Sequence, residues 1–301
     1  MKHYSSDLPV GRSFRKLVRY LCKRSFARWL PDKLFLRIFF WARTGKKLNI
    51  ANPKTFSEKI QLLKLYDRKP EYRKYVDKYT VRSFIRDTIG EEYLIPLIGV
   101  YDRVEEIDWD LLPDKFVLKC THASSFNIIC RNKNELDIRA AAKKLRRWLK
   151  INWFWWGREW AYKDIKPRII CEKYLQDNII DYKFMCFHGE PKLIQVHRSK
   201  GGKERTLDFY DVNWQKTEIR RKTPTAKELI PKPQRFDEML SIVQKLAKDD
   251  IHVRIDLYEV NGKIYFGEKT YYSGAGFKKF FKDEHDEQLG SWLEVSFIDN
   301  D

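Results

Sequence analysis

Val253-Arg254-Ile255-Asp256-Leu257-Tyr258 and Ile264-Tyr265-Phe266-Gly267-Glu268-Lys269-Thr270, joined across Asn261-Gly262, decide how this chain folds. Asn-Gly between two alternating runs is a strong hairpin signal, because both residues accept the positive φ of a two-residue turn. The pattern predicts strands over 253–260 and 263–270. Alternation puts Arg254 and Asp256 on one face, opposite Ile255 and Leu257, and puts Glu268 and Thr270 together on the partner strand. Pairing gathers the four polar residues into one patch. Two carboxylates there suit Mg²⁺, a hard ion that takes oxygen ligands and shares them with phosphates. An arginine beside them suits a transferring phosphoryl group. The plainer alternative is a cross-strand salt bridge on a solvated face.

Working outward, short β-rich runs predict strands over 93–100, 116–120, 127–130, 168–174, 182–187, 191–197 and 207–210, with a second hairpin turn at Phe187-His188-Gly189-Glu190-Pro191. Thr55 and Glu58 have capping-box spacing and start a helix through Leu65. Further helices are predicted over 76–86, closing at Gly90, and over 136–149 and 236–248. Helices and hairpins are intermixed, so the fold class is α+β. The tryptophans at 148, 153, 155, 156 and 160 read as a connection packed on the core, with sugar stacking or headgroup contact as the alternative.

Two of these strands carry further chemistry. Lys119 lies near the end of the apolar run Phe116–Cys120, where an unpaired ammonium is costly, so it requires a charged partner. The small polar loop after it (Thr121-His122-Ala123-Ser124-Ser125) offers backbone N–H groups to phosphate oxygens. Glu172 closes a buried strand and Asp181 follows nine residues later, a placement suited to an adenine amino group and ribose hydroxyls; both equally suit capping of strand ends.

With 301 residues, 43% of them hydrophobic, the chain is long enough for a stable core without staples. Its five cysteines include no CxxC pair and its six histidines no HExxH, so a disulfide framework, a zinc knuckle and a His-built metal site are excluded. No apolar run approaches the ~20 residues of a membrane span. The opening MKHYSSDLP lacks a signal-peptide apolar region, giving the expectation of a cytoplasmic chain. The net charge of +18 is concentrated: residues 1–50 hold 13 Lys and Arg against Asp7 and Asp32. Phe14, Leu17, Val18, Leu21 and Cys22 recur at helical spacing with Arg15, Lys16, Arg19 and Lys23 between them, and a second helix is predicted from Pro31. Such helices, with Trp29 and Trp41, suit an anionic membrane surface, here the inner face of the plasma membrane. Packing on the body with a solvated basic face is the alternative. Nucleic acid ranks last, because no basic stripe continues beyond residue 50 and no binding motif is present.

Taken in order, NPKTFSEKIQ, LKLYD, VDKYTVR, IGEEYLIPLIGVYD, FVLKCTH, IICEKYL, DYKFMCFHGEPKLIQV, FYDVNW, VRIDLYEVNGKIYFGE and SGAGF resemble the TupA-like branch of the ATP-grasp superfamily, which is linked to teichuronopeptide and other surface-polysaccharide synthesis. The resemblance implies a two-lobed fold: a first lobe within 51–165, a second within 166–301, and the basic helical region 1–50 ahead of them. It implies an ATP-dependent carboxylate–amine ligase working through an acyl phosphate, with ATP and Mg²⁺ as cofactors. The acceptor would be a polysaccharide or sugar-linked carboxylate, and the second substrate a small amine or amino acid. By position, Lys78 and Lys119 would contact ATP phosphates, Glu172 with the Lys173-Tyr174-Leu175 backbone the adenine, and Asp181 the ribose, with Lys183 in the same nucleotide site. Asp256 and Glu268 would bind Mg²⁺, and Arg254 would steady the transferred group. His122, Ser124, Ser125 and Arg198 would face substrate. The chain departs from relatives at His122-Ala123-Ser124-Ser125-Phe126, commonly a Gly-rich HxSGG, and at Lys269, commonly apolar. The rival readings are a glycosyltransferase, for which Asp108-Trp109-Asp110 is a DxD, and a non-catalytic membrane-bound scaffold on the same fold.

Overall fold

The computed structural model describes residues 9–200 and 204–295; residues 1–8 of the basic region and 296–301 of the expected second lobe lie outside the described residues. The chain opens with helices α1 (Pro9–Leu21), α2 (Asp32–Thr44), α3 (Phe56–Tyr66), α4 (Tyr72–Val76) and α5 (Val81–Thr88). Strands β1 (Leu97–Tyr101), β2 (Phe116–Cys120) and β3 (Asn127–Cys130) follow, then α6 (Ile138–Leu149) and β4 (Ile169–Lys173). The last part holds β5 (Asp181–Phe187), β6 (Glu190–Lys200), β7 (Glu204–Tyr210), α7 (Phe236–Ala247), β8 (His252–Val260), β9 (Lys263–Thr270) and α8 (Asp283–Ser291).

The strands form two antiparallel sheets, so the class is α+β. One has the order β1-β4-β2-β3 and the other β7-β6-β5-β8-β9. Strand β4 lies between β1 and β2, so a division at 165/166 would cut through the first sheet. The change of sheet falls between Lys173 and Asp181 instead. Each sheet has its own core. Ile255 and Leu257, fully buried on the inner face of β8, meet Phe184, Ile194, Met239 and Val243. Each such side chain contributes about 1.5–3 kcal/mol by leaving water. A second cluster joins Phe116, Leu118 and Cys171 to Leu145 of α6. A third holds α2 through Phe35, Leu36, Phe39 and Phe40 against Leu62 of α3 and Phe277.

The capping box forms as the sequence requires: Thr55 Oγ1 accepts from Glu58 N, and the Glu58 carboxylate accepts from Thr55 N. The Asn261-Gly262 turn has φ of +52° and +72°, and Asp256 pairs directly with Glu268. A bulge follows at Gly267, where a Cβ would come within 2.8 Å of the Tyr258 ring. The turn alone would set Asp256 opposite Gly267; the extra residue at the bulge moves Glu268 onto the face of Asp256 and fixes the register at the patch. The helix expected over 76–86 is two helices. Asp77 Oδ1 accepts from the N–H groups of Tyr79 and Thr80, competing with helical bonding, and Lys78 N donates to Thr121 O. The break presents Lys78 to the first sheet. Helix α8 has no counterpart among the expected elements because its sequence, DEHDEQLGS, is nearly all polar; it is docked by Asp286 Oδ1 accepting from Ser57 N and Oγ at 2.9 and 3.0 Å.

Candidate functional site

A cavity of about 320 Å³ lies between the two sheets. Its floor is the second sheet, where alternation and register make rows of polar side chains. Gln195, Lys183, Asp256 and Glu268 form one cross-strand row, and His197, Asp181 and Tyr258 the next. The opposite wall is Lys119 of β2, the loop Ser124–Asn127, and Lys78 from the break between α4 and α5. Lys78 and Lys119 also line a narrow extension with Glu172, Gly267 and Glu268.

Arg254 organises the hairpin patch. Its Nε and Nη2 donate to the two oxygens of Asp256 at 2.6 and 2.8 Å, and Nη2 also donates to Thr270 Oγ1 at 3.1 Å. Glu268 Oε2 is 3.4 Å from the same nitrogen, and Glu268 Oε1 is 3.5 Å from Lys78 Nζ. Lys183 bridges Asp181 and Asp256. Asp256 is 1% exposed, so the solvated salt bridge is not what forms. Burial alone would raise its carboxyl, but Arg254 and Lys183 hold it below the usual range. Burial likewise opposes charge on Lys183, and Asp256 with Asp181 overrides it, raising the ammonium. At Asp181 burial wins and the carboxyl rises to about 6; its Oδ1 has no partner among the described residues.

Lys119 meets the partner its position demanded: Nζ lies 2.6 Å from Glu172 Oε2, and Arg82 approaches the other oxygen at 3.4 Å. Lys78 Nζ donates to Ala123 O at 2.8 Å, tying the loop to the α4–α5 break. That loop lacks glycine, yet Ser125 takes φ of +64°, and Phe126 stacks on Trp148 at 5.0 Å and 8°. Ser124, Ser125 and Phe126 all face the cavity. Lys269, neighbour of Glu268, points to the other face and bonds Leu246 O and Asp250 at 2.7 and 2.8 Å, so its charge stays out of the cavity.

Several expected residues lie elsewhere. His122 is 2% exposed, lies 3.2 Å from Trp148 O and borders a separate depression, because β2 and its alternation end at Cys120. Arg198 is outside the cavity lining; in the β6 alternation His197 and Gln195 take that face. Lys173 is exposed and its N–H is committed to Pro96 O, and neither Tyr174 nor Leu175 lines the cavity. Asp108 Oδ1 accepts from Asp110 N and Leu111 N, so the DxD carboxylate shapes its own exposed turn. The residues sequence reasoning missed are Gln195, His197, Arg221, Tyr258, Ser273, Gly274 and Lys278. For Gln195 and His197 the signal was available, in their alternation against Val196.

The donor chemistry of the patch suits a hard divalent cation. Asp256 and Glu268 are adjacent carboxylates, Glu268 is engaged among the described residues by contacts of 3.4–3.5 Å, and Lys183 already holds positive charge at Asp256. Among the described residues no group of three or more His, Cys, Asp or Glu converges on one point, so any such ion would need oxygens from elsewhere.

A model of the TupA-like ATPgrasp family matches residues 58–294. No curated protein matches the chain. Among solved structures, it is similar to the D-alanine–D-alanine ligase of Bacillus anthracis, at 17% identity and a TM-score of 0.40, covering 65% of this chain and 56% of that one. It is also similar to the N5-carboxyaminoimidazole synthetase of Staphylococcus aureus, at 13% identity and TM-score 0.39, covering 66% and 44%. A third similarity is to the L-amino acid ligase of Bacillus licheniformis, at 12% identity and TM-score 0.44, covering 93% and 62%. The chain thus spans roughly half the length of the solved structures it matches. The family match runs through α3, both sheets and α8, and the chain belongs to the TupA-like ATP-grasp family.

Proposed function

We propose that this protein is an ATP-dependent carboxylate–amine ligase acting in surface-polysaccharide assembly. The observation that carries the reading is the pairing of two walls: Lys78 and Lys119 face Arg254, Asp256 and Glu268 across one cavity. Phosphates carry concentrated negative charge, and their in-line transfer depends on positioning and electrostatics more than on covalent help. Lys78 and Lys119 would grip the ATP phosphates, and Glu172 and Asp181 would contact adenine and ribose. Asp256 and Glu268 would hold Mg²⁺, which supplies charge neutralisation at the transferring phosphoryl group. Arg254, locked by Asp256 and Thr270, is pre-aimed at that group and needs no reorganisation when charge develops. The acceptor's carboxylate oxygen attacks the terminal phosphorus and ADP leaves; an amine then attacks the acyl carbon, phosphate leaves, and the amine loses a proton.

The test is to trap the acyl phosphate. With Mg·ATP, hydroxylamine and uronic acids as probe acceptors, the reading expects a hydroxamate and stoichiometric ADP. ADP-free turnover of a UDP-sugar would instead identify a glycosyltransferase.

The N-terminal helices supply the setting. Phe14, Leu17, Tyr20, Phe26 and Leu34 are 45–57% exposed and Trp29 is 90% exposed, while Arg12, Lys16, Lys23 and Arg24 lie among them. The tryptophan-rich turn adjoins this surface, with Lys23 and Arg28 over Trp156 and Trp155 at 5.5 and 5.6 Å. Exposed aromatics beside cations suit the interface of an anionic leaflet, where a lipid-linked precursor would be presented. No helix among the described residues is long and apolar enough to cross a membrane.

A further inference from the structure

The cavity lining holds six cationic side chains against three carboxylates. Four of the six have a carboxylate partner: Lys78 with Glu268, Lys119 with Glu172, Lys183 with Asp181 and Asp256, and Arg254 with Asp256. The other two, Arg221 and Lys278, have none within 4 Å among the described residues. They line the main cavity but not its narrow extension, where Lys78, Lys119 and Glu172 lie, so they stand apart from that end.

Arg221 is fixed without being neutralised. It is 8% exposed, its Nη1 donates to Lys278 O, its guanidinium stands 4.2 Å from the Phe280 ring centre, and its backbone bridges that of Phe280. Its Nε has no partner among the described residues. The Lys278 side chain lies across Gly274, where a Cβ would come within 2.9 Å of its Cδ. His197 completes the wall with an Nε2 that has no partner among the described residues; burial, then Lys183 and Arg254, push its pKa down to about 3, so the ring is neutral. A buried guanidinium with an unused donor, beside an unpaired ammonium and a neutral imidazole, is stabilised only when an anion enters.

We propose that Arg221, Lys278 and His197 form a subsite for the carboxylate of the acceptor. Arg221 Nε and Lys278 Nζ each donate to an oxygen, and His197 Nε2 adds a third, orienting contact. The subsite lines the same cavity as Arg254, with His197 on the floor sheet and Arg221 and Lys278 beside it, which fits an acceptor held by its acid group while ATP occupies the opposite end. That the ligand is an acceptor rests on the ligase reading; that the subsite binds a carboxylate does not.

The experiment measures binding to the full chain by calorimetry, in Mg·ATP, with D-glucuronate, D-galacturonate and malonate as probes and D-glucose as the uncharged control. At least one acid is expected to bind with a Kd below about 10 mM and glucose not to bind. Lys278→Met is expected to weaken that acid at least tenfold and leave the affinity for Mg·ATP within twofold; Arg221→Lys, which keeps the charge but loses the Nε geometry, is expected to weaken the acid severalfold. Failure of all three acids to bind the wild type, equal binding of glucose, or acid binding unchanged in Lys278→Met would overturn the subsite. Loss of Mg·ATP affinity in Lys278→Met would assign these cations to phosphates instead. Acid binding with no Mg·ATP binding in the wild type would keep the subsite and overturn the ligase.

Discussion

Asp256 and Glu268 are one residue pair across a hairpin, yet the chain holds them differently. Asp256 is buried and gripped by Arg254 and Lys183, whereas Glu268 is 18% exposed at its side chain and, among the described residues, is met by ion partners at 3.4–3.5 Å. Removing one partner of a buried ion pair strands the other charge, at about 3–5 kcal/mol. Arg254→Met should therefore lose both activity and stability by about that amount, read from urea midpoints. Glu268→Gln separates the two. Turnover should fall by about 100-fold or more, the scale of a lost electrostatic contact to the transition state, with the urea midpoint nearly unchanged. Wild-type turnover in Glu268→Gln would remove Glu268 from the site. The hairpin residues were legible because period-two alternation sets which residues share a face within each strand and Asn-Gly places the turn, but the Gly267 bulge that brings Glu268 opposite Asp256 was not. His122 lies elsewhere because a loop's exit direction depends on packing that one sequence does not encode locally, whereas Arg198 lies in the paired part of β6, where alternation with His197 already puts it on the other face. Arg221 and Lys278 carried no signal at all: they lie in irregular segments brought to the cavity by the Arg221–Phe280 bridge.

At the scale of elements, α1 is where packing and exposure divide. Val18 and Cys22 turn toward α2, while Phe14, Leu17 and Leu21 remain 38–57% exposed. The apolar stripe was read correctly as helical, but its spacing alone did not say that only half of it would be covered. Each basic residue near an anionic leaflet contributes about 1 kcal/mol, screened over a Debye length of ~8 Å. The full chain should then co-sediment with phosphatidylglycerol vesicles at low salt and ignore phosphatidylcholine ones. Leu17→Glu with Trp29→Ala should abolish this without changing the fold, since both side chains are exposed. Indifference of the wild type to anionic vesicles would return the segment to a packing role. The α4–α5 break teaches the same lesson from the other side. Asp77 reads as an ordinary helical residue, and only its bonds to Tyr79 and Thr80 reveal the turn that delivers Lys78 to the cavity.

Over the whole molecule, the α+β class and most strand positions followed from local patterning, whereas the assembly of β4 into the first sheet did not, because β4 is separated from β2 by α6 and the tryptophan-rich turns. Burial also shapes the pH response. His197 and His252 are both pushed down to about 3, first by burial, while unfolded they titrate near 6.5. The unfolded chain therefore binds more protons between these values. Their contribution is complete above about 6.5 and is lost as pH falls toward 3, by up to about 1.4 kcal/mol per pH unit for each. Urea melts taken from about pH 7 to 5 should show a shallower decline in His252→Gln than in the wild type; identical slopes would contradict a neutral buried imidazole. The central claim, that the two walls of the cavity close on ATP, is tested most directly by thermal melts with nucleotide. Ligand at about a hundred times its Kd adds about 2.7 kcal/mol. Mg·ATP is predicted to raise the melting temperature of the wild type clearly, to raise that of Lys119→Met much less, and a UDP-sugar to leave both unchanged; stabilisation by the UDP-sugar with Mg·ATP inert would contradict the account.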